Sequence, residues 1–464
     1  MDLKRALRLE ETSGSGKAKP VRLAFVGAGG KTTVLFSLAR QLPAPVMVTT
    51  TTHFARWQSS LADCHIYLHG IEDIKNLISG SLGEVVLLTG RETEEERLSG
   101  LGAELLEGVR ELAEQHGWYL LIEADGSRLR PLKAPAGHEP AIPSFVDMVV
   151  VVVGLSALGE PLNAVWVHRP QIFSELSGLS LGEFIHKDAM VRVLNHPQGG
   201  LKNIPSGARR IVMLNQADTP ERQTMARSMV KELLKVYHSV VITTFTSESG
   251  IVSTGHEMLR LVPEVIGAYE PLAGVILAAG GSSRFGQPKQ MLTWQGVPLV
   301  RKVALTALQA GLSPVVVVIG AYGDQVKTAV QDLPVIVVCN PNWSEGQSTS
   351  VQWGLKALPE RIGGAIFLLA DQPCVSVGLL NALMEGHAQT FSPIVAPVIE
   401  GRRGNPVLFD CVTFPYLLSL HGDIGGRVLF SHFSPWWVRW EDSRVLLDVD
   451  TPDDYQRLLG ISID

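Results

Sequence analysis

The chain has only four cysteines among 464 residues, and none forms a C-x-x-C pair. Cys64, Cys339, Cys374 and Cys411 are widely scattered, so neither a disulfide framework nor a zinc site is expected; reduced, mostly buried thiols are. Long apolar runs are also missing. The longest, such as Met148–Val153 and Val315–Ile319, are far too short to span a bilayer, so no membrane partner is expected. No N-terminal segment joins a basic region to a long apolar run, so no secretory signal is expected and the cytoplasm is the expected location. Positive charge is not in excess. The net charge of -6 argues against a nucleic-acid-binding surface and leaves small molecules as the expected substrates. There is no short-period repeat.

Hydrophobic residues make up 45% and charged residues 19% of the chain, a composition that buries well. The length exceeds one ordinary core and points to two or three domains. Residues 1–20 are polar and read as a loosely ordered tail. Residues 21–268 alternate strand candidates (Val21–Val26, Pro45–Thr49, Val85–Leu88, Tyr119–Ala124, Met148–Val153, Ile211–Leu214, Val240–Thr244) with helical segments. The stretch Val262–Pro271 contains Pro263, Gly267 and Pro271 and reads as the junction. A second unit, 272–464, carries candidates Gly274–Ala278, Val315–Gly320, Val335–Cys339, Ala365–Ala370 and Ile394–Pro397. The expected fold class is α/β, with two Rossmann-like three-layer α/β/α domains and mostly parallel sheets.

The most informative stretch is residues 275–289. An apolar β-branched run, Val275-Ile276-Leu277-Ala278-Ala279, breaks into Gly280-Gly281-Ser282-Ser283, followed by Arg284, Gly286 and Lys289. Glycines let backbone amides approach a ligand, and the two cations can neutralise phosphate oxygens. This pattern, LAAGxSxRxGxxK, resembles the signature loop of nucleotidyltransferases, and within them that of the molybdenum cofactor cytidylyltransferases. Ala370-Asp371-Gln372-Pro373, Gly401–Pro406, Gly422–Arg427 and Asp448–Pro452 match the family in order. The resemblance implies nucleotide contacts from Leu277, Ala278, Ala279, Gly280, Gly281 and Ser282, with Ser348 and Ser350 near base and ribose. It also implies CTP rather than GTP.

Nucleotidyl transfer brings together two anions and places charge on the α-phosphoryl oxygens. Arg284 can fork across phosphate oxygens, and Lys289 is a point charge beside the α-phosphate. Asp371 follows an apolar strand, where parallel sheets bind ligands, and is the expected Mg²⁺ ligand, with Asp450 as a second candidate. An aspartate before Pro373 also suits a turn or cap. Arg402, Gly404 and Asn405, with Asp423 and Arg427, are candidates for the acceptor; Gly401–Pro406 reads equally well as a hairpin with a basic tip.

In the first unit, Gly27-Ala28-Gly29-Gly30-Lys31-Thr32-Thr33 reads as a shortened phosphate loop, because the outer glycine of the full pattern would fall at Phe25. Glu123-Ala124-Asp125-Gly126 follows a strand candidate. Asn215-Gln216-Ala217-Asp218 resembles a guanine-reading Asn-Lys-x-Asp motif with Gln216 in place of Lys. Gly27, Gly29, Gly30, Lys31 and Thr32 are the expected phosphate contacts. His53 and His168 read as structural. With Thr49–His53, Ile122–Ser127 and Val167–Pro170, this unit resembles the selenium-dependent molybdenum hydroxylase accessory proteins. The resemblances imply cytidylyl transfer from CTP to the molybdenum cofactor with Mg²⁺, and a molybdenum hydroxylase apoenzyme as partner. The alternatives are cytidylyl or guanylyl transfer to another phosphorylated acceptor, or a non-catalytic cofactor carrier.

Overall fold

The computed structural model describes residues 1–9, 21–77, 82–247, 261–281, 285 and 287–461. The chain forms two compact units, Met1–Tyr269 and Glu270–Asp464. Each is an α/β unit built on a mostly parallel sheet.

The first sheet has nine strands. From one edge they are Leu261–Tyr269, Ser239–Ser247, Arg209–Asn215, Met148–Gly154, Arg22–Gly27, Tyr119–Glu123, Val46–Thr50, Val85–Thr89 and Cys64–Tyr67. All neighbours run parallel except the first pair. Met148–Gly154 is buried at every position, which a β-branched run achieves when helices cover both faces. In Arg22–Gly27, Leu23 and Phe25 point to one face, Ala24 and Val26 to the other, and all four are buried.

Two expectations need correction here. The residues that open the expected polar tail form a helix, Leu3–Ala6, whose N-cap Asp2 accepts from the Arg5 amide. Leu3, Ala6 and Leu7 share one face by their i, i+3, i+4 spacing and are fully buried, a pattern masked by the basic residues between them. Residues 10–20 of that tail lie outside the described residues. The expected junction is largely a strand, Leu261–Tyr269, paired antiparallel with Ser239–Ser247. Pro263 fits because this strand is at the sheet edge, where a missing N–H breaks no inner ladder.

The second sheet runs Ile336–Cys339, Val315–Ile319, Leu272–Ala278, Gly364–Leu369, Val407–Asp410, Ile394–Ile399 and Arg402–Arg403, with Trp436–Arg439 also pairing with Ile394–Ile399. The first three pairs are parallel, and Val407–Asp410 runs antiparallel to both its neighbours. Ile276 and Ala278 join one core with helices Leu299–Gln309 and Val377–Thr390. Ala273 and Val275 join another with helix Gln347–Lys356. The strand ends of Leu272–Ala278 and Gly364–Leu369 therefore project from a sheet clamped on both faces. Among the described residues, no helix is long and apolar enough to cross a membrane.

Candidate functional site

At the carboxyl edge of the second sheet, Ala279-Gly280-Gly281 leaves the strand Leu272–Ala278. Gln290 ties this loop down. Its buried Nε2 donates to Gly280 O at 2.7 Å and to Ala278 O at 3.3 Å. A Cβ on Gly320 would lie 2.6 Å from Ala279 O and 2.8 Å from Trp343 Cβ, so the indole seats directly against the loop only because residue 320 has no side chain.

The neighbouring strand Gly364–Leu369 leads to Asp371. Lys289 Nζ pairs with Asp371 and reaches Asp450 Oδ1 at 2.7 Å. The Val449 N–H donates to Asp371 O at 3.1 Å and so fixes the segment that carries Asp450. Burial pulls the Lys289 ammonium down, but Asp371 and Asp450 outweigh it and hold its pKa above the ordinary value. Behind them lies Asp448, bonded by Gln372 Nε2. Burial pushes the Asp448 carboxyl up against that hydrogen bond, and the charges on Asp371 and Asp450 add to the rise. Gln372 Oε1 is buried without a partner.

Lys289, Asp371, Gln290 and the glycine loop line a cleft of about 580 Å³. Of the residues assigned to nucleotide and catalysis, Leu277, Ala279, Gly280, Gly281, Lys289, Asp371 and Ser350 border it. Ala278 is buried beneath it. Ser348 does not reach it, because its hydroxyl is spent on Gly422 O at 2.7 Å, joining helix Gln347–Lys356 to the loop that carries Asp423. Ser282 and Arg284 lie outside the described residues. Gln290 and Trp343 are part of the site that sequence reasoning missed; neither belongs to a recognisable motif.

A second cleft, of about 380 Å³, shares Leu277, Gln347, Leu369 and Asp423 with the first. Of the acceptor candidates, Asn405, Asp423 and Arg427 border it and Arg402 and Gly404 do not. Arg403 takes the place assigned to Arg402. Successive residues of a strand face opposite ways, and the Arg403 guanidinium stacks 4.5 Å from the Phe430 ring at the cleft wall. Burial and nearby Arg427 lower the Arg403 pKa. The pair of arginines gives this cleft a local positive field in an acidic chain.

Asp371 and Asp450 suit Mg²⁺, which takes oxygen ligands and needs only one or two from protein. Their oxygens converge on one ammonium opposite the glycine loop. Among the described residues, no group of three or more His, Cys, Asp or Glu side chains could hold a metal unaided. Cys374, near this loop, has its thiol pushed up to about 11 by burial and then by Asp442, which leaves it a poor nucleophile at neutral pH.

In the first unit, Gly27, Gly29 and Gly30 all have positive φ. A Cβ on Gly27 would lie 2.2 Å from Val152 O, and one on Gly29 2.3 Å from Gly154 N. Lys31 opens helix Lys31–Ala39 and is buried. Its Nζ donates to Gly27 O at 2.8 Å and pairs with Asp125 at 3.0 Å. Asp125 also pairs with Lys133 (2.8 Å), Lys133 with Glu139 (2.8 Å), and Glu139 with Arg169 (2.6 Å). The Thr32 hydroxyl donates to Glu123 at 2.8 Å. His168, beside this network, has its pKa pushed down to about 4 by burial and then by Arg169 and Lys133, so it is neutral at pH 7.

The two units present the features of nucleotide-handling α/β proteins: glycine loops at parallel strand ends, flanked by lysine and carboxylates. Residues 23–171 match the family model of the YqeC protein, and residues 274–436 that of the MobA-like NTP transferase domain. The chain is 32% identical over 220 residues to the uncharacterized protein YqeC of Escherichia coli (strain K12), a match covering 46% of this chain and 83% of that one. It is 34% identical over 199 residues to the nicotine blue oxidoreductase of Paenarthrobacter nicotinovorans, covering 40% and 96%. It is 24% identical over 188 residues to the molybdenum cofactor cytidylyltransferase of Escherichia coli (strain K12), covering 39% and 92%. The chain belongs to the YqeC family through its N-terminal unit and to the MobA-like nucleotidyltransferases through its C-terminal unit.

Proposed function

We propose that the C-terminal unit transfers a cytidylyl group from CTP to the phosphate of a molybdopterin-type molybdenum cofactor and releases pyrophosphate. One observation carries this reading: Lys289 Nζ lies between Asp371 and Asp450 at the rim of a cleft bounded by the glycine loop. The loop amides receive the triphosphate. Lys289 places a fixed positive charge where the α-phosphoryl oxygens gain negative charge, and Arg284 is the proposed second cation. Asp371 and Asp450 would hold Mg²⁺, which supplies charge neutralisation along the triphosphate. Trp343 offers a stacking face for the base. The acceptor phosphate oxygen attacks the α-phosphorus; that P–O bond forms as the bond to the β-phosphate oxygen breaks. The acceptor is already anionic, so no protein nucleophile is required. Asn405, Asp423 and the arginines Arg403 and Arg427 orient it in the adjoining cleft. A cytoplasmic setting and delivery to a molybdenum hydroxylase apoenzyme complete the proposal.

The test is incubation of the purified chain with CTP, Mg²⁺ and molybdenum cofactor, followed by mass analysis. A cytidine dinucleotide of the cofactor with equimolar pyrophosphate is expected. Cofactor bound without a CTP-dependent product would instead fit a carrier, and a product with GTP alone would reassign the base. The 34% identity to the nicotine blue oxidoreductase supports a second reading, oxidation or reduction of such a substrate at the expense of an added electron acceptor or donor, with no pyrophosphate released.

The two clefts are expected to separate kinetically. Trp343→Ala should raise KM for the nucleotide about 10-fold, since stacking on one aromatic contributes about 1–3 kcal/mol. Arg403→Ala should raise KM for the acceptor by a similar factor and leave the nucleotide KM unchanged. Equal effects of either variant on both constants would contradict the division of roles.

A further inference from the structure

Three strands of the N-terminal sheet bring unrelated motifs to one place. Arg22–Gly27 delivers the glycine loop, Tyr119–Glu123 delivers Glu123 and, two residues on, Asp125, and Arg209–Asn215 delivers Asn215. Asn215 Nδ2 donates to Gly29 O at 2.7 Å, and its Oδ1 accepts from Thr243 at 2.8 Å. A Cβ on Gly30 would lie 2.7 Å from Asn215 Nδ2 and 3.0 Å from the Phe245 ring. Asp218, further along the same segment, accepts through Oδ1 from Thr244 Oγ1 at 2.8 Å and from the Phe245 amide at 3.2 Å. The loop, Phe245 and Asp218 therefore form one continuous edge.

We propose that the N-terminal unit carries its own nucleotide site, for a guanine nucleoside triphosphate, with the phosphates on Gly27–Thr33 and the base against Asp218. The loop glycines adopt left-handed backbone and admit no side chain; the amides of Gly27, Ala28 and Gly29 are spent on Asp125, Val152 O and Arg130 O, so the phosphates are received by the amides that open helix Lys31–Ala39. Thr32 and Glu123 occupy the relation in which a phosphate-loop hydroxyl and a strand-end acid carry Mg²⁺ on a bound triphosphate. Guanine presents N1–H and a 2-amino group on one edge, and a carboxylate is acceptor-only. Adenine presents no such pair of donors. Thr244 and Phe245 orient the Asp218 carboxylate, and its side chain is partly exposed.

Lys31 is held in reserve. Without ligand it is bonded to Asp125 and to Gly27 O of its own loop. Its departure does not strand Asp125, which keeps Lys133 at 2.8 Å and the Gly27 amide at 3.0 Å. Ligand binding thus exchanges Asp125 for phosphate as the ionic partner of Lys31 and leaves every other charge of the network paired. Stability alone does not account for these charges, because buried ion networks rarely outperform apolar packing of the same volume.

The experiment is titration of the full chain with GTP and with ATP in the presence of Mg²⁺, together with photolabelling by 8-azido-GTP and peptide mapping. This proposal does not rest on the C-terminal reading, and the labelled position separates the two sites. Expected are labels between residues 209 and 247, ATP about 10-fold weaker than GTP, and GTP about 100-fold weaker for Lys31→Ala. Asp218→Asn, at a partly exposed position, keeps the test available should Lys31→Ala not fold; it should shift preference from GTP toward xanthosine triphosphate, whose 2-oxo group accepts from the new amide. Labels confined to residues beyond 270, or no GTP bound by the wild-type chain, overturn the site. Equal affinity for ATP and GTP overturns the base assignment, and a folded Lys31→Ala chain binding as tightly as wild type overturns the phosphate loop.

Discussion

Lys289→Ala is expected to lower kcat for pyrophosphate release by about 100- to 1,000-fold, the usual cost of removing one preorganised charge from a transition state. The thermal midpoint should fall only slightly, because the ion pairs that raise the Lys289 pKa lie in an open cleft. The ammonium is 20% exposed in an open cleft, and Asp371 and Asp450 would be rehydrated rather than sealed in apolar surroundings. Lys289→Arg should recover part of the rate, because charge survives but the compact geometry between two carboxylates does not. The pKa of this ammonium is held above its ordinary 10.5 by those carboxylates, so neutral lysine is not expected to limit the rate below that pH. Steady-state pyrophosphate assays beside melting curves decide the matter. A folded Lys289→Ala chain with wild-type kcat would remove Lys289 from the chemistry.

The glycine loop after Leu277 and the acid after Leu369 could be read from sequence for the same physical reason. A short apolar run ending in glycine or aspartate describes a buried parallel strand and its ligand-facing tip. What sequence concealed depends on direction and on distant partners. Arg402 and Arg403 are adjacent and chemically identical, and only the pairing of Arg403 with Val398 decides which one faces the cleft. Asp450 reaches Lys289 across 161 residues, through a backbone bond from Val449 to Asp371 that no local pattern announces. Ser348 is expected near base and ribose only through the resemblance of its segment to that of the nucleotidyltransferases; the structure gives its hydroxyl to Gly422 O instead. Pro263 and Gly267 suggested a linker, yet an edge strand accommodates both.

Lys133→Ala should destabilise the N-terminal unit by about 3 kcal/mol at neutral pH, within the range for breaking a buried ion pair. Lys133 is 1% exposed and bonds Asp125, Glu139 and Gly126 O. Its removal leaves Glu139 to Arg169 alone. Burial works against the charge on Glu139, but Arg169 and Lys133 overcome it and hold the carboxyl down to about 2, from an ordinary 4.5. A depressed acid contributes stability that is complete above pH 4.5 and is lost as pH falls toward 2, a span equivalent to roughly 3 kcal/mol. His168, neutral in the fold, adds a loss of its own as pH falls from 6.5 toward 4. The same lysine depresses both groups. Without it both pKa values move back toward ordinary, so the variant should start lower at pH 7 but lose less on acidification. Urea unfolding followed by hydrogen exchange in Met148–Gly154 measures the difference. The gap between wild type and variant should narrow steadily from pH 7 to pH 3. A gap that stays constant would mean that Lys133 contributes packing rather than charge.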